Sequence, residues 1–240
     1  MSKKILIISD THFSKDNTLL FNKTDVEKNI NLLTQDIFNE NPDYIFVLGD
    51  ISQDGTTESY LKARNYLNHF SCPKYIIMGN HDSSNISQML SDSIKMHDVL
   101  SINNHNFIFL SSYKGYGYDE GFLYENEFQK IKNNISSYKF NYLVIHHHFI
   151  ETNAIIDGAI LENKTEFCKF INNLNINAIF HGHVHNSYKK HLGQTKIYAT
   201  PSTCIQFALT KTLILEPVIG YQVINIMENS YEQKTISRQI

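Results

Sequence analysis

The sequence predicts an α/β protein built around parallel strands, and three observations carry that expectation. Five short apolar runs, "KILIIS" (4–9), "YIFVLG" (44–49), "KYIIMG" (74–79), "NYLVIHHH" (141–148) and "NAIFHG" (177–182), lack polar alternation and each ends in polar residues. Strands buried on both faces read this way. Stretches of helical period separate several of these runs, and 240 residues are enough for one well-filled core.

The elements follow in order. A helix is expected over 24–39: Thr24 and Glu27 read as a capping box, Val26, Ile30, Leu33 and Ile37 form the apolar stripe, and Pro42 ends it. A second helix over 57–70 shows its apolar face at Tyr60, Leu67 and Phe70 and stops before Pro73; others are expected over 124–134 and 161–173. Residues 99–110, turning at Asn103-Asn104, and 187–200, turning near Gly193, read as antiparallel pairs. A further strand pair is expected over 212–228 with its turn at Gly220, and "SSYKGYGYDEG" (111–121) reads as an irregular loop. No repeat or linker interrupts the chain, which is expected to be a single domain over 1–240 with its core at about 4–207.

Composition narrows the partners. Lys and Arg number 21 against 24 Asp and Glu, for a net charge of -3, and no basic stripe marks a nucleic-acid face. Cys72, Cys168 and Cys204 are scattered, which disfavours a disulfide framework or a thiolate zinc site and favours a reducing, cytoplasmic setting. The apolar tract Ile5 to Ile8 is too short for a signal peptide or a membrane span, so no membrane partner is expected.

The chemistry collects where strands end, because loops converge at the carboxyl edge of an open α/β sheet. Asp10 and His12 follow the first run, Gly49 and Asp50 the second, and Gly79, Asn80, His81 and Asp82 the third. His146 to His148 close the "NYLVI" run, and His181, His183 and His185 follow "NAIF". On extended backbone, Asp10 and His12 share one side, as do His183 and His185. A buried, unpaired imidazole costs roughly 1–3 kcal/mol, so three of them beside one strand end need partners. So many oxygen and imidazole donors exceed the four of a tetrahedral zinc site; two ions sharing a bridging carboxylate would use them and leave room for water and substrate. Mixed imidazole and carboxylate donors without thiolate suit Zn, Mn or Fe.

The series "DTH" (10–12), "GD" (49–50), "GNHD" (79–82), "HHH" (146–148) and "GHVH" (182–185) resembles the calcineurin-like metallophosphoesterase superfamily. "ATPSTCIQF" (199–207) is similar to a segment of its class III cyclic-nucleotide phosphodiesterases. The resemblance covers about residues 4–207 and implies a four-layer αββα sandwich of two facing mixed sheets. It implies one divalent ion (Fe, Mn or Zn) on Asp10, His12, Asp50 and His185, and a second on Asp50, Asn80, His146 and His183. His81 would contact phosphate and serve catalysis, Asp82 would orient it, and His181 would be supporting structure. Substrate would meet His12, Asp50, Asn80, His81, His146 and His185. The implied reaction is hydrolysis of 3′,5′-cyclic AMP to 5′-AMP by a water activated between the ions. Another phosphodiester, such as a glycerophosphodiester or a 2′,3′-cyclic nucleotide, is the alternative, and a non-catalytic binding module on the same fold is a third reading. Where relatives carry H-H-P this chain has "HHHF", so both His146 and His147 stand as ligand candidates, His146 preferred because it directly follows "LVI". "LSS" (110–112) replaces a frequent L-D-S, and there is no Trp. Tyr113, Tyr116 and Tyr118 are candidates to stack on a base. "PSTCIQF" would shape the pocket wall or, in a homodimer, a contact between copies. His69, His97, His105 and His191 lie off the strand ends and read as surface or packing residues.

Overall fold

A strand that is apolar on both faces needs cover on both. In β1 (Lys3–Ile8) the two faces go to different cores: Ile5 and Ile7 enter one cluster of buried side chains, Leu6 and Ile8 another. The computed structural model describes residues 2–16, 24–137 and 139–240. β2 (Tyr44–Leu48), β3 (Lys74–Ile77) and the short β4 (Ile94–Lys95) lie beside β1, all parallel. A second sheet holds β5 (Val99–Ile102), β6 (His105–Phe109), β7 (Phe140–Ile145), β8 (Ala178–His181), β9 (Tyr188–Leu192) and β10 (Thr195–Ala199). Its inner strands β6, β7, β8 and β10 are parallel, and the hairpin partners β5 and β9 form antiparallel edges, as the sequence predicts for 99–110 and 187–200.

Three apolar layers make the sandwich. Between the sheets, Ile5, Ile7, Phe46 and Ile77 meet Phe107, Tyr142, Val144 and Phe180. Outside the first sheet, Leu6, Ile45 and Val47 pack on α1 (Val26–Glu40) through Ile30 and Leu33 and on α2 (Thr57–Leu67) through Tyr60 and Ala63. Outside the second, Ile108, Leu143 and Ile179 pack on α3 (Glu125–Asn134) through Phe128 and Ile131 and on α4 (Lys164–Ile171) through Phe167 and Ile171. The architecture is therefore the expected four-layer αββα sandwich. Among the described residues, no helix is long and apolar enough to cross a membrane.

Two local expectations are corrected. Asp25, not Thr24, caps α1: its carboxylate accepts the Lys28 N–H, and Glu27 pairs instead with Lys62 Nζ at 2.9 Å. A carboxylate one residue later satisfies the same free N–H groups and suits the positive end of the helix dipole. Gly220 does not turn the chain. β13 (Val218–Met227) runs straight through it, antiparallel to β1, and turns after Met227 into β14 (Ser230–Gln239). In the 212–217 stretch only β12 (Leu215–Glu216) is a strand, paired with β11 (Gln206–Phe207). The glycine answers a close approach: a Cβ at 220 would collide with the Ile236 carbonyl oxygen and lie 3.0 Å from Pro201 Cγ.

Gly220→Val is accordingly expected to destabilise the fold by about 1–3 kcal/mol, as overpacking does. The urea midpoint should fall with the slope unchanged; a loss within about 0.5 kcal/mol, typical of open surface, would mean the position is not crowded.

Candidate metal centre

The parallel registers bring the ends of β1, β2, β3, β7 and β8 to one edge of the sandwich, and loops there are laced together by backbone. Asp10 N–H donates to Gly49 O at 3.1 Å and His12 N–H to Asp50 O at 2.9 Å. Asp10, His12, Asp50, His183 and His185 all have positive φ, between 47° and 69°. Side chains other than glycine enter this region rarely, at about 1–3 kcal/mol each. The expected convergence of Asp10 with His12 and of His183 with His185 therefore arises beyond the strand ends, through left-handed turns, rather than through strand alternation. Gly182 lets the His183 loop descend: a Cβ there would overlap Ser9 Oγ and sit 3.0 Å from Asp10 Oδ2.

Hydrogen bonds decide what each imidazole offers. His12 Nδ1–H donates to Gln53 Oε1 (2.7 Å), His185 Nδ1–H to Ile205 O (3.1 Å) and His146 Nδ1–H to Leu48 O (2.6 Å). In the neutral rings each Nε2 is then a lone pair. The Nε2 atoms of His12 and His185 nonetheless face each other at 2.9 Å, with Asp50 Oδ2 3.7 Å from the former and Asp10 Oδ1 3.6 Å from the latter. Two imidazole lone pairs and two carboxylates converging in a buried cluster describe a cation site, and ligand atoms of these four residues lie within 4.8 Å of one another. A second group adjoins it: Asn80 Oδ1 is 3.2 Å from His146 Nε2 and 3.0 Å from His183 Nδ1, and Asp50 Oδ2 is 3.4 Å from His146 Nε2. Asp50 is common to both. The residues present thus fit two ions with Asp50 between them.

His147 also brings a ring nitrogen within 4.8 Å of His146 and His183. Its two nitrogens are matched elsewhere, to Ser112 Oγ at 2.7 Å and Asp119 O at 3.3 Å, so it braces the 112–119 loop and the geometry favours His146. Cys204 lies near His12 and His185, but burial raises its thiol and Ser202 Oγ stands 3.2 Å from its sulfur.

Asp82 takes a different part from the one expected. Its carboxylate accepts from Ile51 N–H (3.2 Å), Ser52 N–H (3.1 Å), Gly79 N–H (2.9 Å) and Tyr60 Oη–H (3.0 Å), with no bond to the His81 ring. It ties the Asp50 and Asn80 loops together and so positions ligands. His181 is fully buried, and its Nδ1–H donates to Gly182 O at 2.9 Å. His81 donates its backbone N–H to Asp50 Oδ1 at 2.9 Å, and its side chain lines the cavity above the cluster.

Electrostatics follow from burying this many groups. Burial pushes the Asp10 carboxyl up to about 7 and His12 down to about 4. Burial opposes charge on His146 too, but the adjacent Asp50 carboxylate prevails and lifts it to about 9. Burial would likewise raise Asp50; the imidazoles of His146, His12 and His81 hold it well below the usual carboxylate range instead. His183 and His185 are held well below the ordinary imidazole value by burial and neighbouring rings.

Several contributors escape a reading by residue type. "PSTCIQF" wraps the cluster from behind: Ser202 Oγ–H donates to Asp10 O at 3.0 Å, Ile205 supplies the carbonyl for His185, and Phe207 stacks on the His185 ring at 4.1 Å and 10°. Gln53 carries no motif. Neither Tyr113, Tyr116 nor Tyr118 lines the cavity; Tyr116 Oη–H donates to Asp54 O at 3.3 Å, and Lys114 Nζ sits 4.7 Å over the Tyr118 ring. His105, expected to be a packing residue, is buried between Tyr142 Oη and Met227 O.

The model of the calcineurin-like phosphoesterases matches residues 3–187. The chain belongs to this family. A probable cyclic nucleotide phosphodiesterase of Coxiella burnetii is 28% identical over 97% of this chain and 96% of that protein. The 3′,5′-cyclic adenosine monophosphate phosphodiesterase of Haemophilus influenzae is 27% identical over 85% of this chain and 77% of that protein. A dimetal phosphatase from Danio rerio shares the fold with a TM-score of 0.73 at 12% identity, covering 99% of this chain and 98% of that one. The protein is a metallophosphoesterase whose buried His and Asp groups form a dimetal-type site.

Because ions bind deprotonated donors, the protons on His146 and Asp10 must leave as the site fills. Asp10 sheds its proton near pH 7 and His146 only near pH 9. Proton release on Mn(II) loading should therefore fall from about two per chain at pH 6 to about one at pH 8 while apparent affinity rises. Calorimetric titration in buffers of different ionisation heat measures this; equal release at both pH values would contradict it. Asp50→Ala should lose or unbalance both ions by elemental analysis, and two ions still held tightly would show that Asp50 is not shared.

Proposed function

We propose that this metallophosphoesterase is a phosphodiesterase that hydrolyses 3′,5′-cyclic AMP to 5′-AMP with two divalent ions of the Fe, Mn or Zn type. The observation that carries the reading is the cavity over the cluster. It measures about 410 Å³, its floor includes His12, Asp50, Asn80, His81, His183 and His185, and among the described residues neither Lys nor Arg lines it. Asp119 and Glu120 stand on its wall. A phosphodiester carries one negative charge, which bound ions would neutralise; a polyphosphate would bring further charge toward the carboxylates of Asp119 and Glu120, the latter with Lys114 Nζ at 4.0 Å. The names of the Coxiella and Haemophilus relatives point to the same substrate class. A non-catalytic role is disfavoured because all seven expected ligands gather around Asp50 in the two adjoining groups.

When bound, the ions would supply Lewis acidity and lower the pKa of a coordinated water, so that no Ser or Cys nucleophile is needed. Asp10, His12, Asp50 and His185 would hold one, and Asp50, Asn80, His146 and His183 the other. The chain's own contribution to the chemistry is His81. Its backbone is anchored to Asp50 Oδ1, which leaves the imidazole to contact the phosphoryl group and donate a proton to the departing ribose 3′ oxygen as water oxygen bonds to phosphorus.

Metal-reconstituted protein offered cyclic AMP, cyclic GMP, 2′,3′-cyclic AMP and a glycerophosphodiester should release 5′-AMP from cyclic AMP most efficiently. Turnover of the others with none of cyclic AMP would overturn the substrate. His81→Ala should lower kcat by about 10²–10⁴-fold with both ions retained; metal loss in parallel with activity would remove His81 from the chemistry.

A further inference from the structure

The cavity has a second half that the metal chemistry leaves unexplained. Opposite in character to its polar floor, it is lined by Ile155, Ile156, Leu209 and Leu213. Ile155 is 51% exposed and Leu213 46%, although both border a buried polar cluster. Single exposed aliphatics are ordinary on a surface; several beside one reaction centre mark a binding wall.

The wall is built and anchored. Its two segments join where Ile155 N–H donates to Thr210 O at 2.8 Å. The first is held by the Asp157 carboxylate, which accepts the Thr152 N–H at 3.0 Å and the Asn153 N–H at 2.7 Å. The second is held by Ala208 N–H donating to Ile214 O at 2.9 Å and by the pairing of Phe207 with Leu215. Phe207 also stacks on the His185 ring, so the wall stands at a set distance from the metal ligands.

We propose that Ile155, Leu209 and Leu213 clamp the planar, uncharged base of the substrate, which makes these two segments the specificity determinants of the site. The proposal rests on the phosphodiesterase reading above. Four observations select this occupant. The wall shares one cavity with the phosphate position, so the group it meets is covalently attached to that phosphate. The volume of about 410 Å³ falls among small-molecule sites. Among the described residues neither Lys nor Arg lines the cavity to receive a second anionic group, whereas a heteroaromatic ring gains from aliphatic contact on its face. The carboxylates of Asp119 and Glu120 on the same cavity wall are acceptors for the N–H edge of a base.

The test compares two ligands of metal-loaded protein by calorimetry: 5′-AMP, which would reach both floor and wall, and inorganic phosphate, which reaches only the floor. Ile155→Ser and Leu213→Ser alter exposed side chains and should leave the fold intact. Each is expected to weaken 5′-AMP about tenfold, the scale of a lost aliphatic contact, while phosphate affinity stays within about twofold. Equal weakening of both ligands, or of neither, overturns the clamp. So does a change from dimer to monomer with 5′-AMP affinity unchanged, which would assign the wall to a contact between copies. The comparison needs no turnover. Wild-type protein that binds 5′-AMP more tightly than phosphate, through these residues, yet leaves cyclic AMP intact would sink the phosphodiesterase reading and keep the clamp; cleavage of cyclic AMP with 5′-AMP held no better than phosphate would do the reverse.

Discussion

Asp50 is the residue around which the rest of the structure is arranged, because it is a carboxylate buried to 2% exposure at the floor of the cavity. A lone buried carboxylate takes up a proton. Asp50 keeps its charge because four neighbours meet it: the imidazoles of His12 and His146 at 3.7 and 3.4 Å, the His81 ring nearby, and the His81 backbone N–H at 2.9 Å. His12 and His146 each have Nδ1 committed to a carbonyl oxygen, which leaves Nε2 turned inward. The cluster is thus a set of metal-ligand types held together by the fold, in which protons on His146 and Asp10 balance the Asp50 charge until divalent ions take their place.

The sandwich supplies the force that holds this set. Apolar strands with two dry faces demand helices outside and a second sheet inside, and the parallel register then delivers their ends to a single edge. Asp82 converts that placement into precision. Its four donors come from the segment after Asp50, the turn at Gly79 and the side chain of Tyr60 on α2, so one carboxylate fixes the relative position of two ligand-bearing loops and a helix. Burial and the Asp50 charge raise Asp82 to about 6, and the three backbone N–H groups work against that rise.

The sandwich and the ligands were legible for the same reason. A residue type that cannot be buried without partners stands at the end of each run that must be buried, which marks Asp10, Asp50, Asn80, His146 and His183 as candidates in the sequence. What escaped depends on atoms that carry no residue signature. The carbonyl of Ile205 orients His185 as well as any other residue's carbonyl would, and Gln53 reaches His12 from a loop without periodicity. Gly220 was misread because glycine serves both turns and close approaches, and only the neighbouring Ile236 and Pro201 tell which. Asp82 was misassigned because adjacency in sequence to His81 suggested a contact that the turn at Gly79 directs elsewhere. The aliphatic wall stays hidden because Ile155 and Leu213 lie 58 positions apart, in apolar runs of only three residues each.

Backbone strain joins these threads. Five ligands adopt left-handed φ on side chains that ordinarily avoid it, and such strain persists only where surrounding contacts over-determine it. Those contacts are visible: the β1 and β2 loops share hydrogen bonds at Asp10, His12 and Phe13, and Thr203 N–H donates to Ser9 O at 3.1 Å from the segment that also supplies Ile205 and Phe207. That segment therefore has two outputs. On its inner side it braces Asp10 and His185 in strained turns; a few residues on, it becomes the aliphatic wall of the cavity. The bracing of Asp10 and His185 and the aliphatic wall of the cavity are thus built on one stretch of chain.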